Sequence, residues 1–247
     1  MSKYDLAFSK PLMNAAGSLG FTPDPRGPVD LTRLGAFITN PISLGKRTPA
    51  RLPRYQPFPG GFLLHTGYPN PGLRDTIRRY QERWARSPIP VIVHLLAEKV
   101  SDLPQMVRQL ETLEGVIAME LGLPKEADGN VVRAFTEAAL GELPVIVRLP
   151  MENAVRYGSH AIASGAAVVS LGPPRGAFPA RAGNLMSGRI YGPALFPQAL
   201  AVVKEISQAG IPVIGAGGLY SHEQCEAMLT AGALAVQLDS LLWRGGW

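Results

Sequence analysis

An eightfold rhythm of short apolar runs limits the fold more than any other feature of this chain. "PLMNAA" (11–16), "AFITNPI" (36–42), "PVIVHLL" (90–96), "VIAMEL" (116–121), "PVIVRL" (144–149), "AAVVSL" (166–171), "PVIGAG" (212–217) and "ALAVQL" (233–238) are apolar and show little polar alternation. Such runs suit strands covered on both faces. Between them the pattern predicts helices over 28–34, 72–86, 99–114, 130–141, 153–164, 194–209 and 221–231. Gly165, Gly210 and Gly232 follow three of these helices as C-terminal caps. "SHEQ" reads as a capping box, in which Ser221 and Gln224 each satisfy the other's backbone donor. Eight strands alternating with helices predict a (β/α)8 TIM barrel, taken here as one domain over 1–247. Only "DSLLWRGGW" follows the last strand, so the eighth helix is expected to be incomplete. Either a partner subunit, a second copy or the N-terminal segment covers that flank, or the barrel is trimmed there.

Composition narrows the class. At 46% hydrophobic over 247 residues, the chain can bury a full core. It has no long apolar run for a membrane span, and "MSKYDLAFSKP" lacks the apolar centre of a signal peptide. A single cysteine, Cys225, allows no internal disulfide and suits the cytoplasm. No zinc-type His or Cys spacing occurs, so no metal is expected. The net charge of +5 comes from arginine-rich stretches such as "GKRTPARLPR" and "LRDTIRRYQERWAR". These read as solvated faces or as attraction for an anionic ligand. No aromatic–basic alternation points to nucleic acid.

Barrel sites lie where strands end. The first strand ends in Ala15, Ala16 and Gly17, small enough for a flat ligand to approach the backbone, or simply for packing. The second leads into a long segment, 48–72, read as a loop carrying His65, Tyr68 and Asn70. His94 on the third strand reads as a core histidine in preference to a catalytic one. Glu120 is the best-placed carboxylate at a strand end. Arg148 puts a permanent cation inside the barrel, which calls for an anion or an electron-rich ring edge. A second glycine-rich loop is expected over 181–193, with Gly188 and Gly192. Gly215, Gly217 and Gly218 stand between a strand and a helix start, where backbone N–H groups can hold phosphate.

Taken together, these strand ends resemble the dihydroorotate dehydrogenase family, especially its soluble class 1 members. "KPLMNAAGSLG" is similar to the family's N-P-x-M-N-A-(S/A)-G opening, "GAFITNPISLGKRTPARLPRY" to its T-K-S segment, and "TGYPNPGL" to M-G-L-P-N-x-G. "IPVIGAGGLYSHEQCEAMLTAGALAVQL" resembles the glycine-rich seventh and eighth strands. The resemblance implies a barrel that binds FMN at the strand ends and passes hydride from a small-molecule substrate to the flavin. It implies that Ala15, Ala16 and Gly17 lie along the flavin ring, with Asn40 where the family has a lysine. It puts Arg148 on the N1 side, where positive charge stabilises reduced flavin. Gly217 and Gly218 fall at the phosphate, as do Gly188 and Gly192, and Ser240 stands in the place of the family's G-T threonine.

Several family groups are replaced. Asp239 precedes Ser240 at the phosphate clamp, and Leu64 stands for a substrate-binding asparagine. The family's N-x-S-C-P-N substrate loop becomes "GLPKEA", with Gly122 for the first asparagine. Cys225 lies in a helix and reads as structural. The expectation is therefore an FMN-dependent oxidoreductase with a substrate other than dihydroorotate. Lys125, His65 and Tyr68 are its candidate proton-transfer groups. The alternative is a barrel that has lost flavin chemistry and serves as a binding subunit.

Overall fold

The computed structural model describes residues 6–179 and 184–244. Thirteen strands and seven α-helices are described: β1 (Leu12–Asn14), β2 (Phe37–Ile38), β3 (Ile42–Ser43), β4 (Tyr55–Phe58), β5 (Gly61–Leu64), α1 (Leu73–Ala85), β6 (Val91–Leu96), α2 (Leu103–Leu110), β7 (Val116–Gly122), α3 (Gly129–Ala138), β8 (Val145–Pro150), α4 (Met151–Ala163), β9 (Val168–Gly172), β10 (Arg175–Pro179), β11 (Leu185–Tyr191), α5 (Phe196–Gln208), β12 (Val213–Ala216), α6 (His222–Thr230), β13 (Ala235–Leu238) and α7 (Ser240–Trp243).

Eight parallel strands form the predicted barrel, in the order β1-β13-β12-β9-β8-β7-β6-β2, with β3 also pairing β6. A parallel bridge between Met13 and Ala36 joins β1 to the start of β2 and closes the ring. The strands are apolar on both faces because both are covered. Met13, Ile38, Ile92, Ala118, Ile146, Val168, Ile214 and Ala235 form one buried cluster, the barrel interior. The alternate residues pack outward against the helices in a second, larger cluster that includes Val93, Met119, Val147, Val169, Val213 and Val236. Trp84 of α1 is fully buried, and its indole N–H donates to the Phe21 carbonyl at 2.8 Å, pinning that helix to the β1–β2 connection.

Three expectations are corrected. Residues 28–34 form only a 3-10 turn, Leu31–Arg33. The stretch is too short to repay helix nucleation, and Gly35 ends it where a Cβ would stand 2.0 Å from the Lys10 carbonyl oxygen. The segment 48–72 is not one loop, because β4 and β5 pair antiparallel within it around Gly60, whose φ is +86°. The 181–193 segment is largely strand β11, paired to both β5 and β10; residues 181–183 lie outside the described residues. The sheet β10-β11-β5-β4 thus meets the C-terminal strand ends of the barrel, Leu64, Arg189 and Tyr191 lining one cavity with Ala15–Gly17, Arg148 and Asp239. α7 spans Ser240–Trp243.

Candidate active site at the barrel mouth

The strand period sets the floor of the site. Two residues beyond the apolar interior layer, the same inward faces carry His94, Glu120, Arg148, Ser170 and Gln237. Parallel register places His94 beside Glu120, and Arg148 beside both Gly122 and Ser170. Glu120 is fully buried and is the hub of this layer. Its Oε1 accepts from Ser170 Oγ at 2.7 Å and from Gln237 Nε2 at 2.5 Å. Its Oε2 lies 2.6 Å from His94 Nδ1 and 3.7 Å from Arg148 Nη1.

Burial alone would raise the Glu120 pKa. The Arg148 charge and the hydrogen bonds from His94 and Ser170 outweigh it and hold the carboxyl at about 2. Burial keeps His94 below the usual histidine range, against the pull of Glu120. The pair is therefore an ionised carboxylate accepting from the Nδ1–H of a neutral imidazole, which leaves Nε2 as an acceptor. Gln237 Oε1 is buried with no hydrogen-bond partner among the described residues, an acceptor left over at this floor.

Above the floor lie three adjoining cavities. One of about 150 Å³ is lined by Ala15–Gly17, Asn40, Arg148 and Asp239 on the barrel side, and by Tyr68, Arg189 and Tyr191 on the sheet side. A small one of about 60 Å³ is lined by His94, Gly122 and Arg148 among others. An outer one of about 350 Å³ is lined by Arg47, His65, Tyr68, Lys125, Arg175 and Arg189.

The expected ring-side residues thus come together: Ala15, Ala16, Gly17, Asn40 and Arg148 share one cavity. Asn40 also fixes the first strand's loop, its Oδ1 accepting from Gly20 N at 3.1 Å. His65, Tyr68 and Lys125 share the outer cavity, with His65 and Lys125 exposed at its rim. Burial, then the charges of Arg189 and Arg175, lowers the His65 pKa. Tyr68 has a positive φ of 52° and lies under the Arg189 guanidinium, 4.0 Å from its ring centroid.

Gly188, Gly192, Gly217, Gly218 and Ser240, expected at the phosphate, are not among the residues lining these three cavities, although Asp239 lines the first. Gly217 and Gly218 have positive φ, but a Cβ on Gly218 would lie 2.3 Å from Phe196 N, and one on Gly217 2.9 Å from Met151 Cε. A Cβ on Gly188 would meet Leu63 and Leu64, and one on Gly192 the Gly60 and Gly61 backbone. Ser240 is buried, and its N–H donates to Asp239. Burial raises the Asp239 pKa, against its hydrogen bonds to Ser240. Cys225 is fully buried, with its thiol pushed up to about 11 by burial, as a structural cysteine should be.

Sequence reasoning missed Arg189 and Tyr191. Arg189 Nε donates to the Tyr191 hydroxyl at 3.3 Å and Nη2 to Thr66 Oγ1 at 3.4 Å. A signal was present: an arginine and a tyrosine at alternate positions in "SGRIYG" share one face of a strand. Among the described residues no cluster of His, Cys, Asp and Glu could hold a metal ion. No described helix is long and apolar enough to cross a membrane.

The site can be compared with known proteins. A family model described as Dihydroorotate dehydrogenase matches residues 2–141. The catalytic subunit of dihydroorotate dehydrogenase B (NAD(+)) of Desulforudis audaxviator is 30% identical over 95% of this chain and 83% of its own length. The protein of the same name from Geotalea daltonii is 28% identical over 93% of this chain and 82% of its own length. The fold is also that of an Eimeria tenella dihydroorotate dehydrogenase crystallised with ferulenol, with a TM-score of 0.75, 14% identity, and coverage of 97% of this chain and 78% of that one. The matched opening strands, the closed barrel and the relatives that span nearly its whole length agree: this chain belongs to the dihydroorotate dehydrogenase family.

Proposed function

We propose that this chain is an FMN-dependent oxidoreductase acting as a single barrel domain on a small anionic substrate. Its kinship with oxidoreductases supports the reaction class. The observation that carries the reading is the ring-side seat, where the Ala15–Gly17 backbone, Asn40 and the Arg148 cation line one cavity. That donor set suits a flat ring that gains negative charge on reduction. FMN, when bound, supplies the two-electron acceptor. The chain's own residues supply the cation beside it and the polar floor below.

The relatives' names make dihydroorotate the first compound to assay. The segment Gly122–Leu123–Pro124–Lys125 offers none of the asparagines of the family's substrate loop, which favours another small carboxylate. Lys125, Arg175 and Arg189 around the outer cavity suit such an anion. The relatives are named as catalytic subunits, so a second subunit is a natural partner. Light scattering of the protein alone and with candidate subunits tests for one.

A specific observation favours a second reading, a barrel that has lost flavin chemistry and binds a small anion. The ring-side cavity is about 150 Å³. Cofactor sites generally run from about 300 Å³ upward. Arg189 and Tyr191 fill part of this space, Phe196 covers Gly218, and a carboxylate, Asp239, stands at the phosphate end. The first reading requires Arg189 and Tyr191 to leave room for the ring. Titrating purified protein with FMN, followed by flavin fluorescence, separates the two. Saturable quenching supports the first reading; no quenching leaves the second.

A further inference from the structure

We infer that His94 Nε2 is the proton acceptor of this site, positioned by Glu120, and that it serves a small anionic substrate held in the cavity beside Gly122. This rests on the reading of the barrel mouth as a catalytic site and names its base. The family's substrate loop brings no such group here. The segment after β7 has glycine, leucine and proline, and Lys125 is exposed at the rim.

Three observations converge on His94. Its ring is oriented by Nδ1, 2.6 Å from the buried Glu120 carboxylate, while its backbone N–H donates to Thr39 Oγ1 at 3.0 Å. His94 is only 2% exposed, and the space beside its ring is the small cavity of about 60 Å³. His94 and Gly122 line the same small cavity, and a Cβ at position 122 would stand 2.7 Å from Nε2. Any side chain there would cover the nitrogen, so glycine in place of a larger residue is what exposes it. The charges around the imidazole complete the picture: Glu120 beneath it, Arg148 and Arg189 beside the cavity, and Arg175 at its entrance. The arginines hold an anion, and the carboxylate faces the ring that gains a proton.

The step is a proton transfer. The substrate's X–H bond breaks, its electron pair stays with the substrate, and the proton joins Nε2. The resulting imidazolium stands against the Glu120 carboxylate, which itself stays ionised. This is the arrangement by which an oriented histidine acts as a general base.

His94→Asn tests the role, because the amide can still donate to Glu120 but has no distal nitrogen. Protein loaded with FMN is mixed with dihydroorotate, and flavin bleaching is followed across pH. We expect the variant to bleach about 10²–10⁴-fold more slowly, with half-saturation little changed and without the rise in rate from acid to neutral pH. Equal rates and equal pH profiles would overturn the inference.

A second readout needs neither flavin nor turnover. ¹⁵N spectra of histidine-labelled protein without FMN should show the proton on Nδ1 and a free Nε2 whose resonance moves on adding orotate or acetate. A proton on Nε2, or a resonance unmoved by both anions, would overturn it. Should the loaded wild-type protein not be bleached by dihydroorotate, that compound is not its substrate, and the spectra still decide for or against His94.

Discussion

Arg148 and Glu120 hold opposite charges 3.7 Å apart at the barrel floor, and removing either exposes the other. Arg148→Met takes away the largest influence that lowers the Glu120 pKa. It also removes the cation beside the proposed ring. Reduction of bound flavin in this variant should slow by at least about tenfold, since one lost tenfold corresponds to only about 1.4 kcal/mol. Rapid-mixing absorbance checks it, and an unchanged rate would remove Arg148 from the proposed chemistry. Glu120→Gln leaves Arg148 without its carboxylate and should cost about 3 kcal/mol in chemical denaturation. Among single residues the sequence was partly legible. Arg148 stands out as a charge in an apolar strand, and Glu120 as a carboxylate at a strand end. His94 reads as an ordinary core histidine because its meaning lies in its neighbour. That neighbour is set by the register of β6 against β7, which no local pattern encodes.

The elements show where local chemistry suffices and where it does not. The α6 capping box forms as read: Ser221 Oγ accepts from Gln224 N at 3.4 Å, and Gln224 Oε1 accepts from Ser221 N at 3.2 Å. Ser221→Ala should therefore cost about 1 kcal/mol of stability, measurable in a urea melt. Gly218→Ala should cost more, about 1–3 kcal/mol or beyond. Its φ is +68°, and the new methyl would meet the Phe196 nitrogen at 2.3 Å. A loss no larger than that of Ser221→Ala would mean that the β12–α6 turn yields easily to a side chain. The barrel strands were legible because burial on both faces leaves continuous apolar runs. The hairpin of β4 and β5 was not, since its prolines and exposed face read as loop, and its pairing with β11 is long-range. That missed sheet brings Arg189 and Tyr191 over the mouth. The site's floor was therefore partly readable while its roof was not.

For the whole molecule, the buried Glu120–His94 pair couples stability to pH. Glu120 titrates near 2 in the fold against an ordinary value of 4.5, so its contribution is full above 4.5 and is lost as pH falls toward 2. At most it is about 3 kcal/mol, since each tenfold gain in acidity on folding corresponds to about 1.4 kcal/mol. His94 is depressed from 6.5, so the unfolded chain binds the extra proton first and stability begins to fall as pH drops below 6.5. Melting temperature should thus decline gently below 6.5 and steeply below 4.5. His65, also lowered from 6.5, adds to the gentle part, so His94→Asn should reduce that part, and a flat profile down to pH 3 would contradict both assignments.

The proposed oxidoreductase function depends on the ring-side seat being used for flavin chemistry. Visible absorption of the purified protein, as isolated and after incubation with FMN and gel filtration, decides this. We expect a yellow protein with a bound-flavin spectrum that Arg148→Met alters. A protein that stays colourless through both steps, with Arg189 and Tyr191 keeping the seat filled, would contradict it.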